Sequence, residues 1–184
     1  MEFINQLWLP ILVSAVLVFI ASSLIHVVIQ WHKPHFRGFA NEDAVRAAVN
    51  AGKAAPGQYI VPFCDHKDMK TPAVQQKFAE GPIAYITLRE PGPPHMGGAL
   101  GAWFVLNLVI AFIAAYIAAK TLPTGASPWQ VCRVVGTLTF LSYGAGNIQM
   151  GIWMGKPWAS VAMDLLDALV YAAITAGTFA FFWR

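Results

Sequence analysis

The sequence predicts a membrane protein of the all-α class, a bundle of four transmembrane helices with a small α/β domain between the first two. Its 184 residues are 57% hydrophobic and only 11% charged, whereas about a quarter of the residues in a soluble domain are charged. Four separate stretches each supply about 20 mostly apolar residues, the length that crosses a hydrocarbon core about 30 Å thick. This composition excludes a purely soluble fold.

Two of the four predicted membrane helices, the first and the last, have tryptophans at both ends. They cover residues 8–30, 99–122, 131–154 and 158–183. Tryptophans at positions 8, 31, 158 and 183 are typical interfacial anchors. The first apolar run is longer than a signal-peptide core, so we expect it to remain as an uncleaved helix. The third helix contains five glycines with Asn147 and Gln149, and we expect it to need other helices around it.

The distribution of Lys and Arg predicts the orientation. Eight of the twelve lie between the first two helices, and Lys156 lies between the last two. Short loops rich in such residues tend to stay in the cytoplasm. The predicted organisation is therefore a first helix in residues 1–30, a cytoplasmic domain in 31–98, and three helices in 99–184. Both termini are then periplasmic.

The loop domain carries start and stop signals for two helices and two strands. Asn41 can cap a helix that Gly52 ends. Thr71 and Pro72 begin a second helix that ends at Glu80. The segments rich in Tyr, Ile, Val and Thr, which predict strands, are residues 58–61 and 83–88. Residues 91–98, with three prolines and three glycines, predict a non-helical approach to the second membrane helix.

Two segments resemble a known family. The run GPIAYITLREPGPPHMGGALGAWF, together with DLLDALVYAAITAGTFAFFWR at the C-terminus, resembles an uncharacterised family of small bacterial inner-membrane proteins. The resemblance covers most of the chain and implies a location in the bacterial inner membrane. It implies no activity, cofactor or catalytic residue, so function has to be inferred from the residues.

Two acidic residues in the fourth predicted helix are the strongest functional signal. Asp164 and Asp167 are three positions apart and therefore share a helix face. Ser160 and Tyr171 extend this face into a polar stripe. Charged residues in a membrane helix are costly and mark functional sites by default. The structural alternative is that the two acids only stabilise the helix start and fasten the bundle.

Other predicted helices place polar side chains at a similar depth. Counting about 1.5 Å per residue from the helix ends aligns four of them with the acidic pair. They are His26, Asn107, Asn147 and Gln149. Individually such side chains are more often packing contacts than ligands. Together they predict a polar band in which a His beside a carboxylate transfers protons or holds a cation.

The loop contains further possible metal ligands, namely His32, His35, Cys64, His66 and His95. They show no recognised ligand spacing, and Pro34 prevents His32 and His35 from sharing a regular helix face. The pattern favours a solvated polar surface over a metal site. The sequence specifies no cofactor.

The sequence does not support a particular reaction. It lacks the G-x-S-x-G, G-x-x-x-x-G-K-[ST] and H-E-x-x-H motifs of common hydrolases and nucleotide-binding proteins. The sequence therefore gives no support for catalysis, and the expectation leans against an enzyme. Basic residues flank apolar segments, which favours the lipid bilayer over nucleic acid as the partner.

The preferred interpretation is an oligomeric membrane protein whose polar band handles protons, cations or a small polar ligand. The alternative is a non-catalytic accessory or assembly subunit of a larger membrane complex. Small residues at spacings of four favour close helix contacts and a homo-oligomer or larger complex. They are Ala111, Ala115, Ala119, Gly151 and Gly155.

Overall fold

A computed structural model describes residues 2–183, with side chains from residue 4 onward. The elements in chain order are helix α1 (Glu2–Ser23), a π-helical segment (Leu24–Ile29), a 3-10 turn (Lys33–His35), α2 (Glu42–Ala51), β1 (Gly57–Val61), a second 3-10 turn (His66–Asp68), α3 (Pro72–Glu80), β2 (Ala84–Leu88), α4 (Met96–Thr121), α5 (Pro128–Met154) and α6 (Trp158–Phe182). The chain is mostly helical and divides into two compact units. We term Met1–Phe36 with His95–Arg184 the helical unit, and Arg37–Pro94 the loop unit.

The four long helices occupy the stretches that the sequence predicts, with shifted ends. Helix α1 begins at Glu2, and α5 begins at Pro128, where Ser127 and Gln130 form a capping box. The predicted non-helical approach in residues 91–98 is wrong at its end, because α4 begins at Met96. Glycine weakens a helix without preventing it, whereas a proline removes a backbone hydrogen bond and disfavours the helical conformation of the residue before it. The last proline, Pro94, therefore marks the boundary.

Within residues 2–183, three helical stretches are long and apolar enough to cross a membrane, namely Ile4–Ile29, Met96–Thr121 and Trp158–Phe182. Their outer faces expose large apolar side chains such as Val27, Leu106 and Leu169. This pattern is typical of a membrane protein, in which lipid covers the outside of the bundle. Helix α5 is as long as the others but is not among these three. A fourth span remains a prediction.

The helical unit has two ends of different chemistry. Helix α1 packs against α4 and α6, and α5 packs along α6. The apolar end is a cluster of buried alanine, valine, leucine, isoleucine and phenylalanine, including Leu7, Ile11, Ala111, Ala115, Val131 and Phe179. The polar end contains Val18, Ile25 and Tyr171 with partly buried Trp31, Trp103 and Tyr143. The acidic residues of α6 lie at this polar end.

The loop unit contains a two-stranded antiparallel sheet in which Gly57 pairs with Leu88 and Val61 with Ala84. The Asn41 side chain accepts a hydrogen bond of 3.0 Å from the Ala44 amide and caps α2. The predicted helices and strands of the loop are thus confirmed to within one residue. Thr71 precedes α3 as predicted, but its hydroxyl donates to the Asp68 carbonyl.

Candidate functional site

A change in helix type brings the end of α1 to α6. After Ser23 the chain forms the π-helical segment Leu24–Ile29, which contains His26. The segment ends at Gln30, which adopts a left-handed conformation with φ of 55°. A π-helical turn alters the angular positions of the residues that follow it, and such turns are frequent at functional sites. The consequence here is that Trp31 and His32 contact α6.

The carboxylate of Asp167 is the centre of the site. Its Oδ1 accepts a hydrogen bond of 2.9 Å from the Trp31 indole, and its Oδ2 lies 2.7 Å from His32 Nε2. The same Oδ2 lies 3.7 Å from His26 Nε2. Asp167 is buried, with 7% of the residue exposed. Three side chains from the end of α1 and the turn after it therefore converge on one carboxylate.

Asp164, one turn earlier in α6, completes the charged group. Its Oδ2 forms an ion pair with Lys156, and its Oδ1 lies 3.9 Å from His32 Nδ1. The His32 ring thus lies between two carboxylates, one near each ring nitrogen, and its side chain is only 12% exposed. We term His26, His32, Lys156, Asp164 and Asp167 the charged cluster. With both imidazoles neutral, two carboxylates against one ammonium leave one unit of negative charge.

The hydrogen bonding of His26 determines which of its nitrogens is free. Its Nδ1 lies 2.9 Å from the Ser22 carbonyl oxygen. A carbonyl oxygen can only accept, so Nδ1 must carry the hydrogen, and in the neutral ring Nε2 is then a bare acceptor. This acceptor faces the Asp167 carboxylate at 3.7 Å. Two acceptors at this distance favour a positive charge between or on them.

A cavity of about 680 Å³ adjoins the charged cluster. His26, Asp164 and Asp167 line one part of it, and Trp103 and Tyr143 line another. The Trp103 indole donates a hydrogen bond of 2.9 Å to the Ser22 hydroxyl, which connects α4 to α1. The centroids of the Trp103, Tyr143 and Tyr171 rings lie 5.3–6.0 Å apart. These aromatic rings pack against one another and line the cavity beside the charged groups.

The other predicted members of the polar band have different environments. Tyr143 donates a hydrogen bond of 2.9 Å to Asn107 Oδ1. Asn107 Nδ2 and the Tyr171 hydroxyl are buried without a hydrogen-bond partner within residues 2–183. Asn147 lines the cavity, while its Nδ2 donates to the Tyr143 carbonyl in its own helix. Gln149 is exposed and lies outside the cluster.

The loop histidines and cysteine that the sequence offered as metal ligands do not form one group. His32 belongs to the charged cluster, so its interpretation as part of a solvated surface is wrong. His35 is outside this cluster, and His66 and His95 are exposed. Cys64, in the loop unit, donates to the Met69 sulfur at 3.8 Å. Sequence reasoning missed Trp31 as a partner of Asp167 and used Lys156 only to predict orientation.

Three donors of the cluster are close enough to share one ion. His26, His32 and Asp167 each offer an atom, and these atoms all lie within 4.8 Å of one another. The arrangement can hold a proton between histidine and carboxylate or bind a cation. No protein-family model, curated protein or solved structure matches the chain. The functional argument therefore depends on the geometry of the site.

Proposed function

We propose that the protein is an integral membrane protein that takes up one positive charge, as a proton or a small cation, at the charged cluster. The observation that carries the proposal is the pair of acceptors formed by His26 Nε2 and Asp167 Oδ2, 3.7 Å apart. The His26 tautomer is fixed by the Ser22 carbonyl, so neither atom of the neutral pair can donate to the other. A single positive charge satisfies both.

The charge balance supports the same conclusion. With neutral histidines the cluster keeps one negative charge among apolar helices. An acidic residue at the centre of a membrane helix costs about 2.5–3.5 kcal/mol on insertion scales. One proton or monovalent cation makes the cluster neutral and removes much of this cost. The site therefore favours uptake of one such charge, and the cavity next to it offers space for exchange or for a small polar ligand.

The topology forms part of the proposal. At about 1.5 Å per residue, the 27 residues of α5 reach about 40 Å, enough to cross a bilayer. Its close packing along α6 is consistent with a fourth span. With the positive charges of the loop unit inside, both termini are periplasmic in a bacterial inner membrane. A membrane-impermeant thiol reagent added to intact cells should then leave Cys64 unlabelled, and labelling in sealed cells contradicts this orientation.

A second candidate function is that of an accessory subunit in a larger membrane complex. The observation that favours it is that both carboxylates already have hydrogen-bond or ion-pair partners. Asp167 accepts from Trp31 and contacts His32, and Asp164 pairs with Lys156. In this alternative the acids only fasten α1 and the α5–α6 connection to α6. They then need no cation.

Proteoliposomes containing the purified full chain distinguish the two. We expect a proton or cation flux, followed with a pH-sensitive or cation-sensitive dye, that Asp167→Asn abolishes because the carboxylate charge is lost. The matched control is Asp43→Asn in the loop unit, where the carboxylate is 96% exposed, and its flux should equal that of the original chain. An unchanged flux in Asp167→Asn, with assembly intact, contradicts the proposal. Absence of flux in the original chain, together with loss of assembly in Asp167→Asn, supports the accessory function instead.

A further inference from the structure

We infer that His26, His32 and Asp167 form a binding site for one divalent transition-metal ion of the zinc type. The inference rests on the proposed function, because it places a cation at the charged cluster, and a divalent ion brings one positive charge more than the cluster needs for neutrality. The three donor atoms lie within 4.8 Å of one another. Two imidazoles and one carboxylate are a donor set that suits zinc, and three protein ligands leave a fourth position open.

The distances are close to those that an ion requires. Zinc binds nitrogen and oxygen at about 2.0–2.2 Å, which separates two donors of a tetrahedral site by about 3.3 Å. The observed separations from Asp167 Oδ2 are 2.7 Å to His32 Nε2 and 3.7 Å to His26 Nε2. Both separations from Asp167 Oδ2 therefore lie within about 0.6 Å of the tetrahedral value.

His26 has the outer hydrogen bond that orients a metal ligand, and His32 has a carboxylate near its second nitrogen. A ligating imidazole usually donates its other N–H to a carboxylate or a backbone carbonyl. His26 Nδ1 donates to the Ser22 carbonyl at 2.9 Å, which leaves Nε2 available. His32 Nδ1 faces the Asp164 carboxylate at 3.9 Å, so a proton displaced from Nε2 has an acceptor on the other side of the ring.

Ion binding requires one side chain to turn. The rings of His26 and His32 are nearly parallel, at 12°, with centroids 5.0 Å apart. Parallel rings cannot direct both in-plane lone pairs at one ion. His26 is the ring that can turn, because its side chain is 52% exposed and that of His32 only 12%. A divalent ion leaves one surplus positive charge in the cluster, which would be balanced if a water molecule in the fourth position released one proton to solvent through the adjoining cavity.

Cobalt(II) titration of the purified full chain in nanodiscs tests this inference, since cobalt replaces zinc and absorbs visible light in a tetrahedral site. We expect one ion per chain. His26→Ala and His32→Ala should each lower the affinity at least about tenfold, as should Asp164→Asn through loss of the outer contact. The matched controls are His35→Ala, His66→Ala and His95→Ala, which should keep the original affinity. Equal affinity in the His26→Ala and His35→Ala proteins overturns the inference.

A cysteine variant gives a spectroscopic readout that does not depend on the size of an affinity change. His26→Cys should add a thiolate-to-cobalt band in the near ultraviolet, whereas His35→Cys should not, and absence of the band in His26→Cys also overturns the inference. The flux assay with a metal chelator separates this result from the proposed function. A flux that persists in chelator and disappears in Asp167→Asn leaves the proton function standing while it refutes the metal site.

Discussion

Helices α1 and α6 meet at both ends of the helical unit, but the two contacts differ in kind. At the apolar end, Leu7 and Ile11 of α1 share a cluster with Phe179 of α6, and Phe179 is fully buried. At the polar end, Trp31 and His32 reach Asp167 through hydrogen bonds, beside a cavity of about 680 Å³. The apolar end is held mainly by close packing, although a cavity of about 540 Å³ adjoins it as well. Only the polar end combines a cavity with charged side chains that require specific partners, so we expect function there.

The largest effect on stability should come from Asp167→Ala at the polar end. The change leaves the Trp31 and His32 donors without their acceptor, and a hydrogen bond to a charged group is worth about 1.5–3 kcal/mol, so two of them should cost about 3–6 kcal/mol. The free energy of unfolding in detergent measures it. Asp43→Ala, at an exposed position, should change that free energy by less than about 0.5 kcal/mol. If both variants unfold alike, the polar end is not held by its charges.

The matching change at the apolar end is Ala115→Leu. Ala115 is fully buried in α4, and extra methylene groups in a packed core cost about 1–3 kcal/mol. Ala102→Leu, on an exposed position of the same helix, should be nearly neutral in the same unfolding assay. The Ala115→Leu protein should keep the cation affinity of the original chain, because the charged cluster is at the other end. A large loss of affinity in this variant contradicts the separation of the two ends.

The smallest effect should come from the neutral hydrogen bond between α4 and α5. Tyr143→Phe removes the donor to Asn107 Oδ1, and we expect a loss of about 1 kcal/mol in the free energy of unfolding. Asn107→Leu in the Tyr143→Phe protein removes both polar partners and should recover part of that loss. Additive losses in the double variant show that the two side chains are not coupled.

Local signals in the sequence predicted the secondary structure well. Asn41 and Gly52 bound α2, and the polar face of Ser160, Asp167 and Tyr171 is buried in the bundle as expected for an intramembrane acid. These features depend on residues within one or two turns of each other. Helix periodicity and capping therefore suffice to predict them.

The composition of the charged cluster was harder to predict. The sequence-based count of about 1.5 Å per helix residue predicted that His26 lies near the acids. It predicted that His32 lies in the loop. The π-helical segment and the left-handed Gln30 bring His32 and Trp31 to Asp167, and neither feature has a reliable sequence signal. The prediction that Gln149 belongs to the polar band has a related weakness. Depth along a helix does not specify which face of α5 points inward, and Gln149 lies on an exposed face.

The tautomer of His26 tests the central claim most directly. Nitrogen NMR of the histidine-labelled full chain in nanodiscs reports which ring nitrogen carries hydrogen, and His26→Ala assigns the signals. The account predicts hydrogen on Nδ1 and a bare Nε2 in the neutral ring, with the Nε2 signal changing when a proton or zinc ion is added. A neutral ring with hydrogen on Nε2 contradicts it, because that hydrogen already satisfies Asp167 and no acceptor pair remains to attract a cation.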